Sequence, residues 1–239
     1  MTKRIISSLI VVCICLITTA PVSAETIAVI GTGSVGSALG PRFAEVGHKV
    51  VYGSRTPDDA DVQALVKVTP GNASATTPAK AAQMADIILL AVPWAVAEEV
   101  LVSLGDVSEK LIIDPVNPRV LDKDGRADFP TFISNAERLQ VLAPRAMVVK
   151  AFSTISADTM ADPGLVEHPI TIPMAGNDPD ANQRVARICH ALGFETIDFG
   201  PVRYAHIIEG LYLLRVNARL NDIYFEWNYP RRKQRRASQ

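Results

Sequence analysis

Residues 24–55 read AETIAVIGTGSVGSALGPRFAEVGHKVVYGSR, and this stretch decides the fold. Four β-prone residues, 27–30, run into Gly31-Thr32-Gly33-Ser34-Val35-Gly36. Ala38, Leu39, Phe43, Ala44 and Val46 then recur at helical spacing, and Gly47 is placed to end that helix. Residues 49–52 form a second strand that runs into Gly53-Ser54-Arg55. Strand, glycine turn, helix and strand in this order open a dinucleotide-binding unit. Gly31 allows the sharp turn off the strand, Gly33 allows the backbone to approach a pyrophosphate, and Gly36 allows the helix to pack closely. The pyrophosphate would rest on the free N–H groups at the helix start, where the helix dipole favours negative charge.

The tip of the second strand selects the dinucleotide. An NAD site usually places a carboxylate there for the ribose hydroxyl, whereas this chain has Ser54 followed by Arg55. A hydroxyl and a permanently charged, forked guanidinium suit a 2′-phosphate, so the expectation is NADP(H) over NAD(H).

Outward from this unit, strand and helix keep alternating. Residues 60–66 read as a short helix, 66–69 as a short strand and 78–85 as a helix with proline in its first turn. Residues 87–92 are the most apolar run of the body, suited to a strand buried on both faces, and end in Val92-Pro93-Trp94. Residues 95–104 form a helix and 111–114 a strand ending in Pro115-Val116-Asn117. Residues 119–134 read as a surface excursion, 135–142 as a helix capped by Ser134 or Asn135, and 147–151 as a strand followed by Phe152-Ser153-Thr154-Ile155. A strand over 170–175 ends at Gly176-Asn177, a helix spans 180–192, and the last strand is 195–199. Tyr204 to Leu220 forms a long apolar helix that must pack on the body or on a second copy, so a homodimer through it is one of two outcomes. The pattern predicts an α/β, doubly wound parallel sheet of seven or eight strands, with this C-terminal helix appended.

Of the 239 residues, 1–24 read as a signal peptide: Lys3-Arg4, a nearly unbroken apolar run over 5–17, then Val22-Ser23-Ala24, with no acid before Glu25. The expected location is therefore periplasmic or secreted if that segment is cleaved, with membrane-anchored or cytoplasmic alternatives if it is not. Residues 25–220 form the nucleotide-binding domain and 221–239 an aromatic and basic tail. Removing the leader leaves Cys189 as the one cysteine, so no internal disulfide forms.

The chain carries a net charge of −1, but five basic residues sit in the tail and two at the start, leaving a body of about −8. An acidic body excludes nucleic acid as the main partner; the tail is a solvated end or a contact for an anionic surface.

In an open sheet, ligands bind outside the carboxyl ends of the strands. Here those ends carry glycine, hydroxyl, amide and aromatic residues. All four histidines lie outside them, Lys150 lies within a strand, and no metal-ligand spacing or nucleophile elbow occurs. No catalytic acid, base or metal site is therefore assigned. The chemistry left is hydride transfer to an acceptor that needs no strong protein acid, with Trp94 placed to stack on a flat ring. A non-catalytic NADP(H)-sensing module that recruits a partner is the alternative.

Together, IAVIGTGSVGSALG, VVYGSRTP, AVPW, VVKAFSTI, MAGNDPDA and DFGPV resemble the deazaflavin-dependent NADP oxidoreductase family. They are also similar to the NADPH-binding domain of the six-transmembrane metalloreductases. The resemblance implies an NAD(P)-binding Rossmann fold and hydride exchange between NADP(H) and 8-hydroxy-5-deazaflavin, a flavin or a metal-reducing acceptor. It implies that Thr32, Gly33, Ser34 and Val35 hold the pyrophosphate, and Ser54 and Arg55 the 2′-phosphate. Val92, Pro93 and Trp94 would border the nicotinamide, with Phe152, Thr154 and Ile155 on the facing wall; the strand-end reading, apart from the resemblance, adds Asn117. Two departures stand out: Ser153 replaces a frequent asparagine, and Asp59 replaces a lysine that can support the phosphate.

Overall fold

The computed structural model describes residues 24–230. The leader (apart from Ala24) and the basic run after Pro230 lie outside the described residues. In chain order the elements begin β1 (Thr26–Ile30), α1 (Ser34–Glu45), β2 (Lys49–Gly53), α2 (Ala60–Val68), β3 (Ser74–Thr76) and α3 (Pro78–Met84). They continue β4 (Ile87–Leu90), α4 (Trp94–Ser103), β5 (Leu111–Asp114), β6 (Val120–Leu121), β7 (Ala127–Asp128), α5 (Asn135–Leu142) and β8 (Met147–Lys150). The last are α6 (Ala157–Ala161), β9 (Thr171–Gly176), α7 (Pro179–Ala191), β10 (Glu195–Asp198) and α8 (Ala205–Ala218).

Eight strands form one sheet in the order β10-β9-β8-β5-β4-β1-β2-β3. Its side chains divide cleanly between two cores. Ile27, Val29, Ile87 and Leu89 face α1, α6 and α7, while Ala28, Ile30, Ile88 and Leu90 face α3, α4 and α5. Burial on both faces explains why these strands are continuous apolar runs rather than alternating ones. The expected doubly wound architecture is present.

Three local expectations change. Residues 66–68 belong to α2, not to a strand: Thr69 N–H still bonds to Leu65 O at 3.1 Å, continuing the helical ladder. The strand that pairs with β2 is instead β3. The 119–134 excursion contains the small hairpin β6–β7, tied down where Ala127 N–H donates to Asn217 Oδ1 of α8 at 2.7 Å. Finally, β9 runs antiparallel to β8 while the other pairs of the sheet are parallel. The β8–β9 link, which carries the five-residue α6 and one 3₁₀ turn, brings the chain back into the sheet from the carboxyl side. Gly176-Asn177 therefore lies at the edge opposite the glycine turn, where Asn177 Oδ1 accepts from Val202 N at 3.1 Å as a structural tie.

After α8 the chain turns at Asp222, in the left-handed region, and comes back across the carboxyl side. Trp227 O accepts from Thr171 N at 3.1 Å, and Glu226 Oε1 accepts from Ser156 N at 3.2 Å and Thr159 Oγ1 at 2.9 Å. Phe225, Trp227 and Tyr229 pack on one another, the last two nearly parallel.

Candidate cofactor and acceptor site

The glycine turn is shaped by what surrounds it. Gly31 has φ +101°, and a Cβ there would lie 2.3 Å from Ala91 O. A Cβ on Gly36 would lie 2.0 Å from Gly31 O, so the first turn of α1 presses directly on the loop it follows. Gly33 differs: a Cβ would meet nothing within 4 Å. The open space over Gly33 is where a ligand backbone can approach. Gly33 is also the N-cap of α1, with no side chain capping it and no acid in the first turn. The N–H groups of Ser34, Val35 and Gly36 precede the first intrahelical bond, Ser37 N to Gly33 O at 2.8 Å. Uncapped donors at a positive helix end fit a pyrophosphate.

Gly31 N donates to Gly53 O at 3.0 Å, fixing the turn to the tip of β2. There Ser54 is buried and its Oγ accepts from Thr56 N at 3.2 Å, while Arg55 is exposed with no ion pair among the described residues. Asp59 is the N-cap of α2. The tip thus offers a hydroxyl and a free guanidinium, and no carboxylate from Gly53, Ser54 or Arg55.

At the tip of β4, Val92 and Trp94 are half-buried and Pro93 is exposed; Pro93 caps α4 and Trp94 opens it. At β5 and β8 the structure brings Asn117 against Ser153, with Asn117 Nδ2 donating to Ser153 O at 2.7 Å. Asn117 Oδ1, Ser153 Oγ and Thr154 Oγ1 are buried and unpartnered. Unsatisfied buried polar atoms are rare and costly, so three on adjacent strand tips mark a place that a polar ligand group would complete. A carboxamide or ribose hydroxyl fits that chemistry.

Phe152 and Ile155 are not wall residues by their side chains. Both are buried, and the Phe152 ring packs edge-on between Phe43 and Phe194. The Phe152 backbone, directly before Ser153 and Thr154, has φ +62°, an unusual conformation for a bulky residue.

Sequence reasoning missed the charged side chains beneath this edge. Lys150, at the end of β8, is buried beside Asp114 of β5 and Glu209 of α8, with Nζ at 2.7 and 2.6 Å from their oxygens. Burial pushes the Glu209 carboxyl up to about 7 even though Lys150 pulls it down, and Asp114 adds to the rise. The same two carboxylates hold the Lys150 ammonium above its usual range despite its burial. The signal was available: a lysine closing an apolar MVVK strand must find a counter-charge.

A mostly parallel sheet with helices on both faces, a glycine turn at an uncapped helix start and a strand tip carrying a hydroxyl and a guanidinium has the architecture of an NADP-dependent oxidoreductase. The chain belongs to the F420-dependent NADP oxidoreductase family, whose profile, described as NADP oxidoreductase coenzyme F420-dependent, matches residues 26–118. The F420-dependent NADP reductase of Methanothermobacter thermautotrophicus is 30% identical over 214 residues, covering 82% of this chain and 90% of that one. The rat metalloreductase STEAP3 is 29% identical over 193 residues, covering 80% of this chain and 37% of the relative. This chain thus spans little more than a third of the metalloreductase. Among solved structures, a putative F420-dependent NADP-reductase from Arthrobacter sp. FB24 superposes with a TM-score of 0.79 at 27% identity, covering 87% of this chain and all of the other.

Proposed function

We propose that the chain exchanges a hydride between NADP(H) and a flat redox ring, 8-hydroxy-5-deazaflavin or a flavin. The observation that carries this reading is the unsatisfied Asn117–Ser153–Thr154 corner, past the ends of β5 and β8, the next two strands of the sheet after the one that ends in Pro93-Trp94. NADP(H), when bound, supplies the hydride. The chain's own residues bind and align: the Gly33–Gly36 donors take the pyrophosphate, Ser54 and Arg55 take the 2′-phosphate, and the polar corner takes the carboxamide end. Trp94 offers an indole face for the acceptor. None of Thr32, Ser54, Trp94, Asn117, Ser153 or Thr154 carries a side chain that ionises near neutral pH, which suits an acceptor that needs no protein acid.

The test is NADPH oxidation followed optically with 8-hydroxy-5-deazaflavin, free flavins and ferric chelates in parallel. Turnover of a deazaflavin or flavin supports the reading. Tight NADPH binding with no turnover of any acceptor would instead support the sensing module. Ile207 and Leu214 are exposed on α8, consistent with a second copy packing there; sedimentation of the Leu214→Glu variant against the parent tests that contact.

A further inference from the structure

The corner that would meet the nicotinamide is held from below. Asp114 and Lys150 are register partners across β5 and β8, each the last residue of its strand. Lys150 Nζ contacts Asp114 Oδ2 and Glu209 Oε1, and also donates to Val116 O at 2.5 Å. Asp114 Oδ1 accepts from Val116 N at 2.9 Å and from Asn135 Nδ2 at 3.0 Å. Glu209 Oε1 accepts from Asn135 N at 3.0 Å. Both backbone polar groups of Val116 are therefore gripped by the cluster, and Asn117 is the next residue.

A buried charge cluster is a poor way to gain stability alone, since well-packed apolar side chains of similar volume often do as well. Two carboxylates against one ammonium make this cluster more demanding still. What apolar residues could not do is hold the Val116 N–H and C=O in one orientation.

We propose that Asp114, Lys150 and Glu209 are positioning residues for the nicotinamide half of the dinucleotide, acting through Val116 on Asn117 and linking α8 to the site. The Asn117 amide nitrogen donates to Ser153 O at 2.7 Å and to Pro115 O at 3.5 Å, and its carbonyl oxygen, Oδ1, is free. The direction of that oxygen follows from where the cluster puts its backbone. This inference rests on the NADP(H) reading above.

The experiment compares two ligands by equilibrium titration: NADP⁺, and 2′,5′-ADP, which keeps the phosphate-bearing adenosine and lacks the nicotinamide. Lys150→Met and the milder, near-isosteric Glu209→Gln are the variants, with Glu209→Gln retained should Lys150→Met not fold. The expected result is an NADP⁺ affinity lower by about tenfold with 2′,5′-ADP binding unchanged within about twofold. The Glu209→Gln effect should also disappear in an Asn117→Ala background, because the two act in series. Equal losses for both ligands, no loss for either, or additivity with Asn117→Ala would overturn the positioning role. A parent protein that binds neither ligand would overturn the NADP(H) reading, and this inference with it.

Discussion

Lys150 Nζ lies 2.6 Å from Glu209 Oε1, with both side chains withdrawn from water on a strand and a helix that meet under the cofactor edge. Burial raises the Glu209 carboxyl from its ordinary 4.5 to about 7, so the folded chain holds this proton more tightly than the unfolded one. Between these values the folded state keeps a proton that the unfolded state has lost. Stability from this group therefore falls as pH rises through that window and is flat above about 7, by a total on the order of 3 kcal/mol. Glu209→Gln should remove that slope, gaining on the parent as pH rises from about 5 to about 8. Parallel melting curves across that range would reject the assignment. Lys150→Met leaves Asp114 and Glu209 buried without their cation and should cost about 3–5 kcal/mol at neutral pH.

Gly33 and Gly36 should separate binding from folding. Gly33→Ala adds a methyl to open space, so its melting temperature should stay within a few degrees while NADP(H) affinity drops about tenfold or more. Gly36→Ala puts that methyl 2.0 Å from Gly31 O and should lower both. Thermal melts paired with titrations read the difference directly.

Arg55 is exposed and unpaired among the described residues, so its removal should be felt by ligand rather than by fold. Arg55→Ala should weaken NADP(H) by about 1.5–3 kcal/mol, as for a lost charged hydrogen bond, and leave NAD(H) nearly unchanged. An unaltered NADP(H)-to-NAD(H) ratio would move the phosphate site elsewhere.

Ser134 closes a capping box on α5, its Oγ accepting from Glu137 N at 3.1 Å while Glu137 Oε2 accepts from Ser134 N at 3.0 Å. Ser134→Ala should cost about 1 kcal/mol in denaturant unfolding. Because Ser134 adjoins Asn135, which binds both Asp114 and Glu209, NADP⁺ affinity should fall as well.

Much of this architecture could be read from the sequence, for physical reasons that differ by element. The first strand, turn and helix were legible because each glycine sits where the structure leaves no room for a side chain, or needs none. The cap of α5 was legible to within one residue, Ser134 or Asn135, because its signal is local; the structure uses Ser134, three residues from Glu137. The direction of β9 was not, since hydrophobic runs carry no arrow. The burial of the Phe152 ring between Phe43 and Phe194 was not legible, because strand periodicity does not foresee a positive φ just past the strand end. Lys150 was set aside as a strand residue. Its partners lie 36 positions before it and 59 after it, distances at which pattern reading has no purchase.

The reversed strand also gives the two ends of the domain different neighbourhoods. Thr26 starts at the amino edge, beside Asp86, whereas Trp227 and Tyr229 finish against Thr171 near the Ser156 turn. A fluorescent label or immobilisation handle fused upstream would leave from the quiet side of the sheet. The described chain instead ends against Thr171 and the Ser156 turn, so N-terminal fusions should preserve ligand binding better than C-terminal ones.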